Sequence, residues 1–104
     1  MAIGLTIEFP DGTQEQYIAV HDHLDMELRP PDGLIFHASG PVRGGWRLLD
    51  FWHTRSHFDE FVEGRLRHAL QELGDSAFPS PPEIVEFPIH NYTCLLYTSP
   101  SPRD

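Results

Sequence analysis

The sequence predicts an α+β domain of order β-α-β-β-α-β, and three observations predict it. "AIGLTIEF" alternates, with Ile3, Leu5, Ile7 and Phe9 on one side and Gly4, Thr6 and Glu8 on the other, the period of a strand with one apolar face. Two later segments instead repeat apolar residues at helical spacing, Tyr17, Val20, Leu24 and Leu28 in the first and Phe58, Phe61, Leu66, Ala69 and Leu73 in the second. Between them lie "GLIFHAS" and "WRLLDFWH", two apolar runs joined by the turn-rich "GPVRGG", which read as a hairpin.

Taken in order, Thr13 and Gln16 stand at capping-box spacing and open the first helix. "RPPDG" ends it, because neither proline can continue a helix. In the hairpin, a register pairing Ser39 with Trp46, His37 with Leu48 and Ile35 with Asp50 puts all six on one face. Ser56 can cap the second helix, Asp59 and Glu60 suit its positive first turn, and Gly74 ends it. The loop "GDSAFPSPP" then leads to a last strand, "EIVEFPIHNY". This order is the split βαβ arrangement of ferredoxin-like folds, a four-stranded antiparallel sheet of order 4-1-3-2 with both helices on one face. The other face is left bare. With Leu49 and Phe51 turned to the helices, Trp46, Leu48, Asp50 and Trp52 point to that bare face, which predicts a homodimer closing sheet on sheet as an α/β barrel.

The chain has 104 residues and a formal net charge of -9, with no lysine. Such an acidic surface repels nucleic acid and anionic membranes, so neither is an expected partner. The closing stretch "CLLYTSPSPRD", Cys94 to Asp104, has neither helical nor strand period. Its codons can be written as a sequence resembling the transposon end and adapter of tagmentation libraries, so residues 94–104 are read as a non-native tail and 1–93 as the single domain. Discounting Cys94 leaves that domain without a cysteine, so disulfides, thiolate nucleophiles and thiolate metal sites are not open to it. No apolar run approaches the roughly 20 residues of a membrane span, and "MAIGLTIEFP" reaches an acidic residue too early for a signal-peptide core. A bacterial, cytoplasmic protein is expected.

"DGLIFHASGPVRGGWRLLDFWHTRSHFDEFVEGRLRHAL", with the late "PPEIVEFPIHNY", resembles the dimeric α/β-barrel superfamily, and within it small antibiotic-biosynthesis-monooxygenase-like proteins of actinobacterial or metagenomic type. The stretch that carries the likeness best is "DFWHTRSHFDEF", where a tryptophan closes the third strand ahead of a capped helix with two phenylalanines. The resemblance implies the fold more firmly than the chemistry, since the superfamily holds cofactor-free monooxygenases, polyketide cyclases, heme-degrading enzymes and proteins without known activity. It also implies that Trp52 lines a pocket. Heme degradation is disfavoured, because the ligand-histidine position is occupied by Gln71, His68 falls nearly a turn early, and Thr6 stands where an asparagine is expected.

Residue chemistry gives the same cavity a content. His37 and Asp50 become diagonal neighbours in the expected register, so Asp50 can orient the imidazole as a general base toward an acidic phenol or carbon acid. Trp46 and Trp52 would wall a flat substrate, with Ser39 and Thr6 as hydrogen-bond partners. Glu86 and His90 on the last strand have the parity to face the same space. His21 and His23 point about 200° apart on a helix and cannot share an ion, so no native metal site and no cofactor are expected. "GPVRGG" lacks a following helix and a lysine, and is a turn rather than a phosphate loop. Two functions fit: a cofactor-independent monooxygenase- or cyclase-like enzyme acting by proton abstraction, and a non-catalytic, ligand-binding or stress-associated homodimer.

Overall fold

The structure is a computed structural model that describes residues 1–93; the tail expected at 94–104 lies outside them. Strand β1 (Ile3–Pro10) is followed by helix α1 (Gln14–Leu24), the hairpin strands β2 (Leu34–Val42) and β3 (Gly45–Trp52), helix α2 (Arg55–Phe61), a π-helical turn (Val62–Leu66), helix α3 (Arg67–Leu73) and strand β4 (Glu83–Pro88). The antiparallel sheet has the order β2-β3-β1-β4, the expected 4-1-3-2 read from the other edge.

Helix α1 begins as the sequence indicates, with both reciprocal hydrogen bonds of the Thr13–Gln16 capping box formed. It stops short of Leu28. Asp25 turns left-handed at φ 57° and caps the helix after Leu24, so Leu28 lies beyond it and is exposed. Arg65 reinforces this end by donating to the Leu24 carbonyl at 2.7 Å. The second helical segment is capped by Thr54 rather than Ser56, its hydroxyl accepting from the His57 backbone N–H.

The hairpin turn is tighter than expected. Val42 pairs with Gly45, Gly44 takes a positive φ of 84°, and the register therefore slips two residues from the sequence reading, setting Ser39 opposite Leu48 and His37 directly opposite Asp50. A slip of two leaves every side chain on its own face. One extra residue of β2 is accommodated in a bulge between Leu34 and Phe36.

The faces themselves are reversed from expectation. Trp52, Asp50, Leu48 and Trp46 pair with Ile3, Leu5, Ile7 and Phe9 of β1 and share their side of the sheet. That side is the one the helices cover, since Trp52 packs on Phe58 and Phe61 of α2, each at 5.6 Å between ring centres. Leu49 and Phe51 point away from the helices, together with Gly4, Thr6 and Glu8. The bare face is thus built from Phe36, Leu49, Phe51, Val85 and Phe87, with Phe87 lying so closely over Gly4 that a Cβ there would overlap its ring.

Under the helices the core forms two clusters, one of Ile3, Leu5, Ile7, Trp52 and Phe58 against the sheet and one of Val20, Leu24, Ala69 and Ala77 between the helices, with Phe61 touching both. Trp52 is completely buried. Trp52→Ala should therefore cost about 3–5 kcal/mol of stability by chemical denaturation; a loss below about 1 kcal/mol would mean that the first cluster does not pack around this ring.

Candidate active site

Strands β2 and β3 and helix α1 bring four side chains into one run of hydrogen bonds. Asp50 Oδ1 accepts from His37 Nδ1 at 2.6 Å, and Asp50 Oδ2 accepts from Trp52 Nε1 at 3.3 Å. An ionised carboxyl can only accept, so the neutral imidazole carries its hydrogen on Nδ1 and leaves Nε2 as an acceptor. The Tyr17 hydroxyl stands 2.7 Å from Nε2 and donates to it. Asp50 is only 6% exposed, and two donors offset the cost of burying its charge.

The capping box sets where α1 starts, and that places Tyr17 and His21, one turn apart, on the stripe facing the sheet. Their ring centres are 5.3 Å apart, and His21 lies 6.0 Å from His37. His21 Nε2 is also 3.3 Å from Glu27 on the turn after the helix. Trp46 stacks behind Tyr17 at 5.6 Å, and its buried Nε1 has no hydrogen-bond partner among the described residues.

Tyr17, His21, His37 and Asp50 line a cavity of about 420 Å³ between the sheet and the helices, within the usual range for small-molecule sites. Ile7, Leu48 and Ile84 form its floor, Val20 and Leu24 one wall, and Phe58, Phe61, Val62 and Leu66 another. The π-helical turn explains how adjacent Phe61 and Val62 both reach the cavity: its extra residue rotates the helix face between Phe58 and Leu66. A strap from Phe78 to Pro82 closes the far side, held by Phe78 stacked on Phe9 at 3.8 Å and 10°.

Of the residues singled out in the sequence, His37 and Asp50 line this cavity. Trp52 and Trp46 lie behind it, the first holding Asp50 and the second backing Tyr17. The other placements are corrected. Thr6 pairs with Leu49 and Val85 and so lies on the opposite sheet face. Ser39 shares the face of Leu48 but is exposed outside the cavity. Glu86 is on the helix face, yet at the edge strand, where it forms an ion pair with Arg55. His90 is exposed beyond the end of β4 at Pro88. Tyr17 and His21 went unrecognised because each fits an ordinary helix stripe. Their signal was the i, i+4 pairing of two polar rings beside Val20 and Leu24.

Burial raises the pKa of the Tyr17 phenol; the nearby Ser39 hydroxyl works against this, and the negative charges of Asp50 and Glu27 add to it. Tyr17 is therefore a neutral donor at neutral pH. Among the described residues, no cluster of three histidine, cysteine or acidic side chains has the geometry to hold a metal ion. No described helix is long and apolar enough to cross a membrane.

No family model and no curated protein matches the chain. Solved structures do. A candidate antibiotic biosynthesis monooxygenase from Chloroflexus aurantiacus superposes with a TM-score of 0.62 at 13% identity, covering 89% of this chain and 98% of that one. SnoaB, a cofactor-independent oxygenase from Streptomyces nogalater crystallised as a mutant, gives 0.59 at 12% identity, covering 88% and 94%. A dimeric ferredoxin-like protein of unknown function from Jannaschia gives 0.60 at 14%, covering 86% and 100%. At such identities the likeness is one of fold, and the fold is ferredoxin-like.

A phenol whose pKa is raised on folding stays protonated where the unfolded chain has already ionised. The fold then keeps its full stability below the ordinary tyrosine pKa of 10.0 and loses it as pH rises toward the folded value. Tyr17→Phe should flatten this alkaline loss, measured by urea unfolding between about pH 9 and 11. Equal slopes in the two proteins would contradict the burial of that hydroxyl.

Proposed function

We propose that the chain is a cofactor-independent small-molecule enzyme, monooxygenase- or polyketide-cyclase-like, whose reaction begins with proton abstraction from a phenolic or polyketide-like substrate in the cavity. The observation that carries this reading is the His37–Asp50 pair, 2.6 Å apart, on the wall of a cavity otherwise lined mostly by apolar side chains. His37 Nε2 takes the substrate proton, and the imidazolium so formed keeps its Nδ1–H on Asp50. The substrate anion then reacts with dioxygen or with a carbonyl of its own. Similarity in fold to a cofactor-independent oxygenase supports the reading.

The apolar outer face supports a homodimer, as does the fold shared with a dimeric ferredoxin-like protein. The dimer that we propose closes through Leu49 and Phe51, not through Leu48, which lines the cavity. A non-catalytic ligand-binding homodimer is the second reading, favoured by the same cavity if no turnover accompanies binding.

With phenolic or polyketide-like substrates, His37→Ala should lower turnover about 100-fold or more while the circular dichroism spectrum is kept, and Asp50→Asn should lower it less. Full turnover by His37→Ala would end the enzymatic reading. Light scattering should give twice the 11.9 kDa chain mass, and Phe51→Asp should give monomers; a monomeric wild-type chain at micromolar concentration would remove the dimer.

A further inference from the structure

The hydrogen-bonding side chains of the cavity are gathered at one end. Tyr17 and His21 reach it from α1, and His37 and Asp50 from β2 and β3, on the side of the sheet where β2 is the edge. Toward β1, β4 and the strap the lining turns to hydrocarbon, including Ile7, Phe58, Leu70, Phe78 and Ile84. Three of the strap residues, Pro79, Pro81 and Pro82, have no backbone N–H to offer. Among the described residues, Ser80 is the one other lining side chain able to donate a hydrogen bond, and it is exposed on the strap.

Two constraints on an occupant follow. An oxygen placed in the hydrocarbon end would lose its water without gaining a partner, which costs free energy at each such atom. At the polar end, a head group entering between Tyr17 and His37 meets a donor on one side and an acceptor on the other, 2.7 Å apart when they bond each other. A hydroxyl satisfies both, accepting from Tyr17 and donating to Nε2. A carboxylate, a ketone or an ether oxygen can only accept, and leaves Nε2 unpaired.

We infer that the cavity takes a ligand with a single phenolic or enolic hydroxyl as head and an unoxygenated hydrocarbon body, and that Tyr17 is the specificity-determining residue holding the head oxygen against His37. This rests on the proton-abstraction reading, in which Nε2 is the acceptor, and narrows its substrate class away from polyoxygenated rings. The Tyr17 hydroxyl gives up its bond to His37 and transfers it to the ligand, so an empty site keeps both groups satisfied and an occupied one does too.

The test is calorimetric titration of the full chain with para-hexylphenol, with hexylbenzene, and with the para-hexylphenol analogue that carries a second hydroxyl at the end of its alkyl chain. Removing the phenolic hydroxyl and adding the terminal one should each weaken binding about tenfold or more. Tyr17→Phe should weaken para-hexylphenol by about tenfold and leave hexylbenzene as it was. Equal binding of the three compounds, no binding of para-hexylphenol, or an unchanged affinity in folded Tyr17→Phe would each overturn the inference. If that variant does not fold, the three wild-type titrations decide. Binding is read here without turnover, so the two readings fail separately: His37-dependent turnover of a polyoxygenated substrate with a flat titration series would remove the ligand class and leave the reaction.

Discussion

A carboxyl group cannot be buried under two helices without donors, and most of the site follows from how Asp50 finds them. Its two oxygens take hydrogen bonds from His37 and Trp52, and each of those bonds fixes something else. Trp52 is thereby anchored in the first core cluster, where its ring meets Phe58 and Phe61. His37 is held in one tautomer with Nε2 turned toward α1, and Tyr17 completes the run. Sheet packing, imidazole orientation and helix position are in this way tied to one side chain. Replacing Asp50 with an apolar residue frees the imidazole and also disturbs packing, because the Trp52 N–H is left buried without an acceptor.

Much of the fold was legible because local chemistry and long-range packing agree in it. The alternation of β1, the Thr13–Gln16 capping box, and Gly74 at the end of α3 each specify their element unaided. Strand β3 is different. "WRLLDFW" is apolar on both parities, Trp46, Leu48 and Trp52 on one and Leu49 and Phe51 on the other, so its pattern does not say which side meets the helices. The pairing with β1 decides, since the apolar row of β1 takes Asp50 beside Leu5. His37 and Asp50 came together in spite of that reversal and of the tighter turn, because a register slip of two preserves faces. Thr6 did not survive it. Its place in the cavity depended on the reversed parity alone, and pairing with Leu49 puts it outside. The π-helical turn left no trace in the apolar spacing, which is compatible with an unbroken helix up to the point where Phe61 and Val62 both face inward.

Both sheet faces are therefore apolar, for different reasons. The inner face packs around the cavity, and the outer one presents Phe36, Leu49, Phe51, Val85 and Phe87 with a single cross-strand ion pair, Glu8 to Arg47 at 2.6 Å, among the described residues. In a chain of net charge -9, a face whose charges are only Glu8, its partner Arg47 and Glu83 carries little net charge, and self-repulsion there is weak.

The strap from Phe78 to Pro82 divides labour along the sequence. The hydrogen-bonding side chains at one end of the cavity belong to α1, β2 and β3, whereas the opposite end is closed by a five-residue segment running into β4, beside Ile7, Phe58, Leu70 and Ile84. Proline at three of those five positions keeps the segment out of the sheet, as it supplies no N–H for another ladder. Substitutions there would reshape the chamber at the end away from the Tyr17–His37–Asp50 run. A scaffold arranged like this lets one short loop alter the size of the chamber while the hydrogen-bonding groups stay fixed by the core around them.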